Sequence, residues 1–222
     1  MGITERRQRE KHERRRAILS CTKELILSNG VERVSMEDIA AKAELSKATI
    51  YLYFTGKEMI FNQICEESAK GFLRHFKPIL ETCTTGFESI KQFWRGFADS
   101  YGNSEEIILL FRIRNFLNPG QPFLSMEQYG KSKFVDIIIE ALKSIIDRCK
   151  NEGIFDESMD SGVATRLILT LFCSSVDNAS KVPLEEKKSL ALIEELAKSF
   201  QIILHGFAKE GIDRSLLNIK NT

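Results

Sequence analysis

Apolar residues recur along this 222-residue chain at intervals of three and four, not two. That spacing lays one stripe of side chains along a helix face. Ala17, Ile18, Cys21, Leu25 and Ile26 predict a first helix from about Glu5 to Ser28, polar all round in its early part and stopped by Asn29 and Gly30. Ser35, with Asp38 three residues on, reads as the cap of a second helix whose Met36, Ile39, Ala40 and Ala43 turn inward. After a turn at Glu44 and Leu45, Ser46 caps a third helix of barely two turns, held down by Ile50 and Phe54. Thr55 and Glu58 have the spacing of a capping box, which predicts a long fourth helix from Gly56 to about Lys77, ended before Pro78.

Beyond that point the stripes become greasier. Phe87, Ile90, Phe93, Trp94, Phe97 and Tyr101 mark one helix, and Ile107 to Phe116 another that is nearly all apolar. "NPGQP" breaks the pattern. Phe134, Ile137, Ile138, Ala141, Ile145 and Cys149 line a helix ending near "NEGIFDES", after which Val163 to Val176 and Leu190 to Phe207 complete a bundle. The fold class is all-α, about nine or ten helices. The expected division is a three-helix domain over residues 13–73, with a helix-turn-helix at about 36–55, and a larger helical bundle over 74–222.

The third helix carries more than packing requires. Ile50 and Phe54 satisfy its inner side, yet Lys47, Ala48, Thr49, Tyr51, Leu52 and Tyr53 remain. Two short helices joined by a tight turn, with small Ala40 at the crossing, form a helix-turn-helix whose second helix enters the major groove of DNA. The leftover side chains fit that task. Lysine donates to guanine or to phosphate, threonine meets a base edge or a thymine methyl, and tyrosine hydroxyls reach phosphate oxygens. Charge points the same way: residues 1–57 hold 12 Lys and Arg against 8 Asp and Glu, although the whole chain is only +1. In this setting Arg14, Arg15 and Arg16 read as a basic arm for the DNA backbone.

The stretch "ILSCTKELILSNGVERVSMEDIAAKAELSKATIYLYFTGKEMIF" resembles the N-terminal domain of the TetR family of bacterial transcriptional regulators. The glycine after the first helix, "DIA", "LSKATIYLYF" and the following "KE" carry the resemblance in order and spacing. It implies groove-facing positions at Lys47, Ala48, Thr49, Tyr51 and Tyr53, a phosphate contact near Lys57, and Ser35 anchoring the second helix on the DNA backbone. Two positions depart from the family pattern, Glu44 where glycine is common in the turn and Gly56 where a capping serine is common. Beyond these 45 or so residues the likeness is architectural only.

Composition removes other classes. Five cysteines form no C-x-x-C pair and three histidines share no ligand spacing, so neither metal nor cofactor is expected, and no hydrolase or phosphate-loop motif is present. No apolar run approaches the roughly 20 residues of a membrane span. The charged N-terminus lacks the apolar segment of a secretory signal, and a cytoplasmic location is expected. Within the bundle, Phe93, Trp94, Phe97, Tyr101, Phe111, Phe116 and Phe134, with polar Arg112 and Asn115, are expected to line a site for a small hydrophobic or aromatic effector. Leu167, Leu171, Leu196, Phe200, Ile203 and Phe207 are expected at a homodimer face, because a single reading head needs a second copy for a palindromic operator. The expected function is a ligand-released repressor and not an enzyme. Its alternatives are a chromosome-organising DNA-binding factor that senses no ligand, and a redox sensor using Cys65 or Cys173.

Overall fold

The computed structural model describes residues 3–82, 85–103, 105–121, 133–181 and 190–219. Among them lie nine α-helices: α1 (Ile3–Asn29), α2 (Met36–Lys42), α3 (Lys47–Tyr51), α4 (Lys57–Thr82), α5 (Gly86–Asn103), α6 (Glu106–Leu117), α7 (Lys133–Asn151), α8 (Ser161–Ser180) and α9 (Leu190–Phe207). None of them is long and apolar enough to cross a membrane.

Local chemistry sets the ends. Ser35 Oγ accepts from the Asp38 amide while the Asp38 carboxylate accepts from the Ser35 amide, so the predicted capping box opens α2. At the other end of α2, Leu45 N donates to Ala40 O at 3.0 Å and Glu44 N to Ala41 O at 3.2 Å. These two bonds form a Schellman ending, whose residue after the cap must be left-handed. Glu44 has φ 55° there and bears a cost of about 1–2 kcal/mol that glycine would avoid. Ser46 Oγ accepts from the Thr49 amide and starts α3.

The expectation for α4 needs correction at both ends. The helix begins at Lys57, and the Thr55 hydroxyl lies 3.7 Å from the Met59 sulfur. It then runs through Pro78 to Thr82. Proline removes one backbone hydrogen bond from a helix interior, yet the helix continues past it here.

The chain divides into two compact units, Met1–Ser68 with Leu109–Gly120, and Ala69–Ile108 with Gln121–Thr222. A boundary drawn at residue 73 assigns 109–120 to the larger domain, but this stretch packs within the first unit. Ile18, Ile26, Val31, Ile39, Ile50, Phe54, Phe61 and Ile64 form the first unit's core, and Leu109 and Ile113 of α6 are buried among them. Phe116 meets Phe61 edge-on at 5.7 Å. Arg112 donates through Nη1 to the carbonyls of Ile26 and Leu27, at 3.1 and 3.0 Å, near the end of α1, where the Ile26 carbonyl also accepts from the Gly30 amide at 3.1 Å.

In the second unit α7 packs against α5 and α8, and α8 against α9. Asp160 opens α8 by accepting from the Val163 amide at 2.7 Å, a bond that holds its carboxyl below the usual range. Phe93, Trp94, Phe97 and Tyr101 of α5 form a continuous aromatic stack with Phe172 of α8 and Phe200 of α9, with centroid separations from 4.2 Å for Phe97–Phe172 to 6.3 Å for Trp94–Phe97. Gly86 is required where α5 meets α7, since a Cβ there would stand 2.7 Å from the Cys149 amide nitrogen and sulfur.

Candidate nucleic-acid interface

The outer face of the first unit is built on α3. Ile50 and Phe54 are fully buried and fix the helix to the core, which leaves Lys47 and Ala48 exposed, Thr49 half-buried, Tyr51 46% exposed and Leu52 79% exposed. A solvated helix gains nothing by displaying a leucine and a tyrosine side by side; a surface that meets base edges and methyl groups does. Thr49 shares a 2.8 Å hydroxyl contact with Ser46, so its methyl is the group left for a base.

Lys47 is not idle in the absence of DNA. Its ammonium donates to the Glu37 carboxylate from α2. The hydrogen bond pulls the Glu37 carboxyl below its usual range and raises Lys47. Both groups are exposed, so the pair is weak and exchangeable for phosphate or guanine. Ser35 is occupied as a cap, and its hydroxyl also donates to Asp38. That bond, with the backbone contact, holds Asp38 below the usual carboxylate range.

The three consecutive arginines divide. Arg14 and Arg16 are exposed. Arg15 turns inward: Nε donates to Gln63 Oε1 at 2.9 Å, Nη1 to the Tyr53 carbonyl at 3.0 Å, and the guanidinium lies 4.2 Å from the Phe54 ring centroid. It braces the end of α3 and is withdrawn from the basic arm, a correction to treating the three alike. Lys57 likewise is engaged at home, 3.4 Å from the Val34 carbonyl and 5.0 Å above the Phe116 ring. Tyr53 is half-buried and lends its carbonyl to Arg15.

Elsewhere the structure redistributes the expected residues. Phe111, Arg112, Asn115 and Phe116, expected beside an effector, belong to the first unit. Phe93, Trp94, Phe97 and Tyr101 belong to the second and pack on one another, and the Phe134 side chain lies outside the described residues. Leu196, Phe200 and Phe207 are buried within their own unit and cannot present a dimer face; Leu171 and Ile203 are half-buried and Leu167 is 48% exposed. Exposed apolar residues that sequence reasoning missed are Val163 on α8 and Ile202, 71% exposed, on α9. Burial pushes the Cys65 thiol up to about 12, which withdraws it from the thiolate chemistry a redox sensor needs.

A capped α2, a Schellman turn and a short α3 displaying Lys47, Tyr51 and Leu52 define a helix-turn-helix DNA-binding protein. The comparisons agree: residues 18–64 match the family described as bacterial regulatory proteins, tetR family. Residues 18–64 thus carry the N-terminal domain of that family, and the matches as a whole support a transcriptional regulator of the TetR type. The HTH-type transcriptional regulator YfiR of Bacillus subtilis (strain 168) is 21% identical over 196 residues, 86% of this chain and 91% of the relative. The fatty acid metabolism regulator protein of the same organism is 23% identical over 160 residues, covering 72% and 78%. Among solved structures, the ketosteroid transcriptional regulator KstR2 of Mycobacterium tuberculosis superposes with a TM-score of 0.66 at 17% identity, over 89% of this chain and 96% of that one. That similarity shows a shared fold.

Proposed function

We propose that this regulator is a homodimeric repressor that binds a palindromic operator through α3 and is released by a small, largely apolar molecule. The observation that carries the reading is the exposed α3 surface of Lys47, Tyr51 and Leu52, held rigid from beneath by Ile50, Phe54 and Arg15. Ala48 and the Thr49 methyl complete the base-reading face, while Arg14 and Arg16 contact phosphates from its margins and Ser35 stays engaged as the cap of α2. Dimerisation uses the exposed apolar positions of α8 and α9, Val163, Leu167 and Ile202, with Leu171 and Ile203 beside them. One relative is a regulator of fatty acid metabolism and a structural neighbour is a ketosteroid regulator, which favours an apolar effector. An effector shifts the DNA-bound population only through a difference in affinity between the two states.

Selection of bound duplexes from a random pool, followed by titration with fatty acids, steroids and aromatic acids, tests the reading. The expected outcome is a palindromic consensus and release of that duplex over the concentration range in which Trp94 emission changes. A second reading, DNA binding without an effector, is favoured by the aromatic stack around Trp94, whose rings already satisfy one another. A consensus without release by any compound would decide for it.

A further inference from the structure

The first three turns of α1 stand outside the fold they belong to. Its burial begins at Ile18, whereas residues 4–14 are all exposed, an overhang of about 16 Å at 1.5 Å per residue. The family match begins at residue 18, so nothing in the shared domain accounts for this extension. Helix of such length is marginal in water and is supported here by ion pairs spaced four apart, Arg6 with Glu10 at 2.9 Å and Arg9 with Glu13 at 3.6 Å. Those pairs use up four of the charges on their own helix.

The remaining cations are arranged differently. Arg7, Lys11 and Arg14 stand at i, i+4 and i+7, one face of a helix, and no ion pair is found for them among the described residues. Continued inward, the same face becomes Ile18, Thr22 and Ile26, which are buried in the first unit. The three cations therefore project on the side where that unit lies. There they border, with Leu52 and Tyr53 at the end of α3, an open groove of about 330 Å³. Glu10 also lines it, but its carboxylate is held by Arg6.

We infer that this groove is a second DNA contact, a rigid helical clamp in which Arg7, Lys11 and Arg14 take the phosphates flanking the major-groove site read by α3. The inference rests on the DNA-binding reading of α3 and extends it beyond the helix-turn-helix. Charge complementarity names the occupant: three cations in line over about 10 Å, with no ion pair among the described residues, meet two or three successive phosphates of one strand, which carries a charge every 3.4 Å or so of axis. The adjoining Leu52 and Tyr53 tie the clamp's register to the reading helix. Such contacts add affinity for any sequence and carry no base information.

The test measures binding of the full chain to a duplex recovered by selection and to a duplex of arbitrary sequence, between about 0.05 and 0.2 M salt. R7Q/K11Q/R14Q, with glutamine retaining helix propensity, should flatten the slope of log K against log salt by about 2–3 and weaken both duplexes about 10- to 100-fold. R6Q/R9Q, which removes the self-paired cations, should leave the slope nearly unchanged. Equal slopes for the triple variant and the unaltered protein, with operator binding intact, overturn the clamp and with it the phosphate contact of Arg14, and leave the reading of α3 standing. An equal loss in R6Q/R9Q overturns it too, because bulk charge would then explain the effect. Failure of the unaltered protein to bind any duplex overturns both the clamp and the reading of α3.

Discussion

The two units use aromatic and apolar side chains in opposite ways. In the first, Tyr51 and Leu52 are held out to solvent on a helix too short to need them, while in the second Trp94, Phe97, Phe172 and Phe200 close on one another. An exposed apolar group on a rigid support has been kept for a partner, whereas a stacked one has found its partner already. The same contrast recurs within α9, where Phe200 is buried and Ile202, two residues on, is 71% exposed.

That pair of residues offers the sharpest way to break the comparison. Leu167→Glu combined with Ile202→Glu should leave the fold intact, convert a dimer to a monomer in light scattering, and lower operator affinity by two orders of magnitude or more through loss of the second half-site. Phe200→Glu, by contrast, buries an unpaired charge and should unfold the second unit, read as loss of the thermal transition. A folded, dimeric Leu167→Glu/Ile202→Glu protein would remove these residues from the interface.

Cysteines of both units give a pH-dependent version. Burial pushes Cys65 in the first unit and Cys149 in the second up to about 12 from 9.0, a thousandfold loss of thiolate at neutral pH. The folded state thus retains protons that the unfolded chain gives up, and stability should fall as pH rises above about 9, by up to about 1.4 kcal/mol per unit for each thiol. Urea melts between pH 8 and 10 measure the slope. Alkylation of Cys149 in the folded protein at pH 8 should proceed no faster than unfolding.

Adjacent arginines sharpen the comparison within the first unit. Arg15→Ala removes bonds to Gln63 and to the Tyr53 carbonyl, together with the contact on Phe54, and should cost about 2 kcal/mol, a drop in melting temperature of about 4–8 °C. Arg14→Ala should leave melting unchanged and weaken DNA binding of all sequences alike. Smallest of all, Glu37→Gln frees Lys47 and removes a negative charge beside the DNA, so affinity should rise up to about fivefold in a mobility-shift titration.

The first unit was legible because its determinants are local. Ser35 and Asp38, Ser46 and Thr49, and the turn at Glu44 act over three to five residues, and the caps and the left-handed turn formed at those residues. What escaped was long-range. Arg112 reaches the end of α1 from 85 residues away, and Arg15 reaches Gln63 from 48, and neither position differs in sequence from any surface arginine. In the second unit an apolar stripe states that a face is covered without stating by what. Leu196, Phe200 and Phe207 fit a dimer face by spacing, yet α5 and α8 supply aromatic cover for Phe200 within the same chain. Pro78 was read as a stop because the residue before a proline is turned away from helical backbone, but α4 continues through it to Thr82.

The central claim is that α3 reads DNA with the side chains it exposes. A mobility-shift titration of the selected duplex with Lys47→Ala and Tyr51→Ala proteins, run beside their melting curves, tests it most directly. Each variant should bind about 10- to 100-fold more weakly, corresponding to about 1–3 kcal/mol, with melting unchanged because neither side chain is in the core. Operator affinity equal to that of the unaltered protein in both variants would contradict the account.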